Sequence, residues 1–446
     1  MKRLIFKFLT TWRHSSHRKP LLLRGARQVG KTHVVRQLGK EFVNFVEVNF
    51  ERRKEVKELF HQDLDPKQIC EKLELIFDQK IIPNQTLLFF DEIQACPEAI
   101  IALRYFYEEM PALHVIAAGS LLDFAIEKVG VPVGRVSFCY MQPMSFLEFL
   151  LATGNEIFAE KITQYNFDQP LEDILHKKGL KLLGEYMLVG GMPEAVAYWR
   201  ETRDIKTCSE IHHTIINAYR DDFEKYAKKT QIKYLEILFD RIPRVVGEHV
   251  KFSKLVPDYQ KRELSPCLDL LIRAGIVQKV MYSTCQGIPL GAESDIDRFK
   301  LLFLDVALTQ AILGLELKDW ILNPEQAFEF INKGKITEAF IGQELLAYGS
   351  FSMRPALHYW QRLSVGSAAE IDYVIASQQN IIPIEVKSGK GSTLKSLHSF
   401  LETHQAASFG IRFSSQQYSN HENIRSFPLY AVASALNGLV PGSVMT

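Results

Sequence analysis

Residues Gly25-Ala26-Arg27-Gln28-Val29-Gly30-Lys31-Thr32 follow the spacing G-x-x-x-x-G-K-[ST]. That spacing suits phosphate binding. Glycines at its two ends permit backbone geometry that a Cβ would block, so successive N–H groups can turn inward onto phosphate oxygens. A helix opening at Lys31 and His33 adds a partial positive charge at the same spot. Lys31 is placed to meet the β- and γ-phosphates, and Thr32 to hold Mg²⁺ through its hydroxyl. Sixty residues on, the run Leu87-Leu88-Phe89-Phe90 ends in Asp91-Glu92. A strand buried on both faces has little use for acids at its carboxyl end unless they meet a ligand. Asp91 is placed for the Mg²⁺ shell and Glu92 to orient or deprotonate a water, the alternative being that both cap the next helix. Ser120 follows the next apolar run and suits either the γ-phosphate or a helix N-cap. Near the C-terminus, Glu370 and Asp372 lie two apart, as do Glu385 and Lys387. On neighbouring strands each pair shares a face, so the four side chains can converge.

These groups need elements to carry them. In the first third, short apolar runs at Leu21–Leu23, Phe42–Val48, Leu87–Phe90, Leu113–Ala118 and Val136–Met141 alternate with helical stretches. Such alternation predicts a doubly wound α/β domain with a parallel sheet. Met144 to about Lys229 reads as mostly helical, broken by Gly190-Gly191 and Pro193. From Ile232 to about Leu308, two helices and two strands around a Gly/Pro/Asp loop read as a winged-helix-like unit. Lys251, Lys254, Lys261, Arg262 and Arg273 cluster around its second helix, which suits phosphate contacts on DNA or simply a solvated helix face. The last stretch opens helical, offering Glu338 and Glu344, and then shows strands at Leu357–Gln361, Glu370–Ala376, Ile381–Val386 and Phe409–Phe413.

Composition narrows the classes. The 446 residues suggest roughly three domains. Lys plus Arg is 53 and Asp plus Glu 52, which excludes a bulk polycation and an acidic tail protein. The balance hides asymmetry, since Met1 to Lys40 holds eleven Lys or Arg and no acid. No run reaches the roughly 18 apolar residues of a membrane helix. Met1 to Trp12 has too short an apolar core for a signal peptide and reads as an amphipathic helix. Six scattered cysteines without a CxxC pair suit reduced thiols in a cytoplasm.

The segments Leu22–Thr32, Phe90-Asp91-Glu92-Ile93-Gln94, Ala118-Gly119-Ser120, Gly134-Arg135 and Pro143–Phe149 resemble the prokaryotic AAA-type ATPases. More narrowly, Gly190–Glu194 and Ile384–Gly389 are similar to the subgroup that carries a C-terminal domain of unknown function. The chain is thus expected to divide into an ATPase core over 1–144, a helical lid over 145–231, a winged-helix-like unit over 232–310 and a nuclease-like α/β domain over 311–446. The resemblance implies ATP and Mg²⁺ as cofactors and a homo-oligomer, a ring being one form of it. In ring ATPases the position of Arg135 faces the neighbouring subunit, so Arg135 is a candidate arginine finger, with a structural salt bridge as the alternative. Arg104 is a second candidate. Helix acid, then Asp372, then Glu385-x-Lys387 is similar to the PD-(D/E)xK nucleases. There the carboxylates hold Mg²⁺ and the lysine activates water. No proline precedes Asp372, and the helix acid is either Glu338 or Glu344. Two functions follow: an ATPase acting on nucleic acid, DNA foremost, or a nucleotide-controlled scaffold whose C-terminal domain binds without cleaving.

Overall fold

The computed structural model describes residues 1–130, 132–165, 171–314, 334–363, 369–377, 379–387 and 394–439. Ser388 and Gly389 of the C-terminal motif lie outside them.

The first sheet has five parallel strands in the order β2-β3-β4-β1-β5. They are β1 (Leu21–Arg24), β2 (Asn44–Asn49), β3 (Thr86–Asp91), β4 (His114–Ala118) and β5 (Ser137–Tyr140). Alternate residues serve opposite cores, as strand geometry requires. Leu21, Leu23, Phe89 and Ile116 enter one cluster, and Leu22, Val48, Phe90 and Ala117 the other. Helices therefore cover both faces, and the carboxyl ends of β1, β3 and β4 fall side by side: Asp91 pairs with Ala118, and Ala118 with Leu23.

The expected N-terminal helix is Ile5–His14, burying Ile5, Leu9 and Trp12 at helical spacing. Just before it, Arg3 ties four segments together. It donates to Glu148 (2.9 Å), to the Val29 carbonyl (2.7 Å) and to the Gln142 carbonyl (2.8 Å). Glu148 also accepts from the Leu4 and Ser145 amides and, with Ser145, forms the capping box of helix Phe146–Ala152. Helices then dominate through Asp173–Val189, Pro193–Thr202 and Ile205–Asp221. The Gly190-Gly191 break is a packing requirement. A Cβ on Gly191 would stand 2.2 Å from the Met144 carbonyl oxygen, and the Gly191 amide donates to Asp305.

The second sheet is the larger, in the order β12-β13-β11-β10-β9-β8-β6-β7. Its strands are β6 (Val277–Ser283), β7 (Ser294–Phe303), β8 (Leu357–Gln361), β9 (Glu370–Ser377), β10 (Asn380–Lys387), β11 (Gly410–Ser414), β12 (Ser419–His421) and β13 (Ile424–Pro428). The four C-terminal strands expected from sequence are present within a residue at each end. β6 and β7 form an antiparallel ladder after helices Lys229–Arg241 and Lys261–Arg273, but β6 also pairs in parallel with β8. The boundary expected at residue 310 thus cuts through one continuous sheet. A lone two-stranded ladder leaves both edges unpaired, and here one is satisfied by a strand more than seventy residues away.

Helix Gly334–Ala347 lies on this sheet and is buried along most of its length, polar Thr337, Gln343 and Glu344 included. Its Glu344 accepts from the Phe146 amide (2.8 Å), joining the C-terminal sheet to the helical region.

Two outcomes follow. Replacing Arg3 with alanine strands a buried Glu148 carboxylate and should cost about 3–5 kcal/mol, read as a lower denaturant midpoint; an unchanged midpoint would remove this pair from the account. Burial pushes the Glu344 carboxyl up to about 8, with the Phe146 amide and Tyr348 opposing. An acid raised on folding takes up a proton as the chain folds. It therefore costs stability as pH rises from about 4.5 to about 8. Glu344→Gln keeps an acceptor for Phe146 and should flatten that fall in melting temperature; equal slopes for both proteins would show that another group carries it.

Candidate functional site

β1 delivers the chain into the 25–30 loop, and the helix Lys31–Gly39 leaves it. Gly25 has φ +148°, and a Cβ there would lie 2.3 Å from the Met141 carbonyl oxygen, so the loop cannot close over any larger residue. Gln28 and Gly30 also have positive φ. Ala26 and Val29 are buried, anchoring the loop from below. His33 lies exposed in the first helical turn.

Lys31 folds back onto the Gly25 (3.0 Å) and Ala26 (2.8 Å) carbonyls. Burial pulls its pKa down to about 8, against the pull of Glu92 and Asp91. Across the loop, Thr32 donates to Asp91 at 3.1 Å, and Asn49, at the end of β2, donates to the same carboxylate at 3.0 Å. Burial raises the Asp91 pKa, and neighbouring Glu92 adds to it. Glu92 sits in the left-handed region (φ 51°) and accepts from Gln94 at 2.6 Å. Lys31, Thr32, Asp91 and Glu92, expected from two distant motifs, are thus one cluster.

Ser120 does not cap the helix that follows. That helix begins at Leu122 with Leu121 as N-cap and no side-chain cap bond. Ser120 instead lines a small hollow with Arg27, Tyr219 and Asp222. Arg135 and Arg104 both bind Glu108, at 2.7 and 3.2 Å, on an exposed surface of the same subunit. Arg27 is held by Asp222 (2.5 and 2.6 Å), and the Tyr219 hydroxyl donates to its carbonyl (2.7 Å). Sequence reasoning missed Asn49, Tyr219, Asp222 and Arg3, because none belongs to a local motif and three of them reach the loop from more than twenty residues away.

In the C-terminal sheet, β9 and β10 place Asp372 beside Glu385. Asp372 accepts from the Val386 amide (2.7 Å), and Glu385 pairs with Lys387 (2.5 Å). Glu385 Oε2 is buried without a partner among the described residues. The choice between the two helix acids resolves to Glu338, since Glu344 is engaged with Phe146. The residue that sequence did not single out is Lys300 on β7. It is 2% exposed and pairs with Glu338 (3.0 Å) and Glu370 (2.5 Å). Burial pulls the Lys300 pKa down, but Glu338, Asp372 and Glu370 hold it well above its ordinary value. Burial pushes Glu370 up, yet His249, itself bonded to Tyr359, and Lys300 bring it down to about 2. Two lysines therefore supply counter-charge to three of the four carboxylates of this cluster, Glu338, Glu370 and Glu385. Among the described residues no three His, Cys, Asp or Glu are arranged to hold a metal ion, and no helix is long and apolar enough to cross a membrane.

Comparison with known proteins matches three family models in succession. Residues 17–150 match an AAA domain, 180–319 a domain of unknown function (DUF8612) and 333–432 a domain of unknown function (DUF4143). Curated proteins give no match. Among solved structures, the Walker-type ATPase PABY2304 of Pyrococcus abyssi is 15% identical, with 69% of this chain and 94% of that one covered and a TM-score of 0.44. The Aeropyrum pernix ORC1 protein, solved in complex with DNA, is 12% identical over 71% and 92%, with a TM-score of 0.28. C. elegans PCH-2 is 12% identical over 46% and 64%, with a TM-score of 0.26. Likenesses this loose bear on neither activity nor partners. The family match and the parallel sheet with its phosphate loop agree that residues 17–150 form an AAA-type ATPase domain of the P-loop class.

Proposed function

We propose that this chain hydrolyses ATP with Mg²⁺, as part of a homo-oligomer that works on nucleic acid. One observation carries the catalytic half: the Thr32 hydroxyl and the buried Asp91 carboxylate meet at 3.1 Å beside Lys31 and Glu92. Hydroxyl and carboxylate are hard oxygen donors, so they fit Mg²⁺. When bound, that ion neutralises charge on the phosphates. Lys31 leaves the Gly25 and Ala26 carbonyls for the β- and γ-phosphates. The amides of Arg27 to Thr32 cradle the remaining oxygens. Glu92, turned out by its left-handed backbone, orients the water and takes its proton. Ser120 contacts the γ-phosphate. Arg135 exchanges Glu108 for the nucleotide of the next subunit.

The nucleic-acid half rests on charge. Lys251, Lys254 and Arg262 are exposed and make no ion pair among the described residues, whereas Lys261 and Arg273 are paired with Asp297 and Glu127. For the C-terminal sheet, the Lys300 contacts favour a binding module over a nuclease. Asp372, Glu385 and Lys387 are the residues on which any cleavage would depend.

Hydrolysis measured with and without DNA tests this reading. Lys31→Ala should abolish turnover, and Glu92→Gln should slow it about 100-fold or more while retaining bound ATP. DNA should raise the wild-type rate; no stimulation by DNA or RNA, and no binding at low salt, would sink the nucleic-acid half. Arg135 in trans also predicts that the rate per subunit climbs with protein concentration through the assembly range and that Arg135→Ala removes the climb. A rate independent of concentration there would show that Arg135 does not act in trans.

A further inference from the structure

A cavity of about 190 Å³ lies behind the phosphate loop, where the ATPase sheet meets the second sheet. Four cations from four separate elements line it: Arg24 at the end of β1, Arg273 at the end of its helix, Lys279 on β6 and Arg354 ahead of β8. Asp123 is the one acid in its wall, so the lining carries four positive charges against one negative. Arg24 pairs with Asp123 at 2.6 Å, yet its Nε is buried without a partner among the described residues. Arg273 and Lys279 have acids in Glu127 and Asp269, but neither acid lines the cavity. Arg354 makes no ion pair among the described residues. Converging like charges repel, and a polyanion among them relieves the repulsion while accepting charge-assisted hydrogen bonds. The rest of the wall is mixed: Leu122, Val277, Leu346 and the Tyr140 ring are apolar, whereas Ser120, Gln142, Gln278 and Gln343 are polar.

We propose that this cavity is a second ligand site, taking a small organic phosphate no larger than a mononucleotide, with its phosphate on the arginines and its apolar or aromatic body against Tyr140 and Leu346. The site adjoins the ATP cradle without coinciding with it. Gly25, Ala26 and Ser120 contribute to its wall, whereas Gln28 to Thr32, Asp91 and Glu92 do not. The turn at Gly275 packs close to the Ala26 amide, where an added Cβ would come within 3.2 Å. A ligand here therefore touches the back of the loop that ATP touches from the front. Any effect it has on ATP affinity is returned by ATP on its own affinity.

The test is calorimetric titration of the full chain, its first site saturated with Mg²⁺ and a non-hydrolysable ATP analogue. Thymidine monophosphate is the probe, with thymidine and inorganic pyrophosphate as companions. One monophosphate should bind per chain, thymidine should bind far more weakly, and pyrophosphate should compete. Arg354→Gln and Lys279→Gln should each weaken the monophosphate about tenfold, the loss of one charged hydrogen bond, with melting temperature and ATP-analogue binding unchanged. No heat at millimolar probe, equal binding of thymidine, or an affinity indifferent to both substitutions would overturn the proposal. Repeating the titration on Lys31→Ala separates the two sites, because probe binding there does not depend on the ATP reading.

Discussion

A phosphate loop works only if its amides point inward, which obliges its carbonyls to point outward and find donors elsewhere. That constraint organises the molecule. The Val29 carbonyl takes Arg3, from before the first helix. The Arg27 carbonyl takes Tyr219, near the end of Ile205–Asp221. The Gly25 and Ala26 carbonyls take Lys31 itself. Arg3 is bound in turn to Glu148, whose capping box starts the helical region. The N-terminus, the sheet and the helices are thereby fastened to one loop of six residues.

The same fastening ties distant parts of the chain to that loop. Asp222 grips Arg27, and the Gly275 turn leaves no spare space beside Ala26. Helix Gly334–Ala347 connects further through Gln343 to Tyr186 and Glu344 to Phe146. Between these contacts lies the cavity lined by Arg24, Arg273, Lys279 and Arg354. Near-neutral total charge is thus a sum of unlike regions: basic side chains around phosphate positions, and acids in the β9–β10 cluster held by Lys300 and Lys387.

That cluster shows what a pattern of acids leaves open. Glu370, Asp372 and Glu385 are arranged as their spacing on two strands demands. Their chemistry turns on the counter-charge facing them, and that is Lys300, seventy residues earlier and on a strand of the same sheet. Lys300, 2% exposed, lies between the Glu338 and Glu370 carboxylates and gives one counter-charge to both.

Whatever is local was legible in the residues. The phosphate loop, the paired acids after an apolar run, the amphipathic first helix and the C-terminal strands depend on short spacings, and short spacings set backbone geometry and the facing of side chains directly. Tertiary structure alone decided the rest, because hydrogen-bond partners and burial depend on which segments come together. It paired β6 with β8 and so joined regions that sequence had divided at residue 310. It assigned Glu338 to the charge cluster and Glu344 to the Phe146 amide, though both stand on one helix. It also set Arg3, Asn49, Tyr219 and Asp222 around the loop, contacts that no run of neighbouring residues encodes.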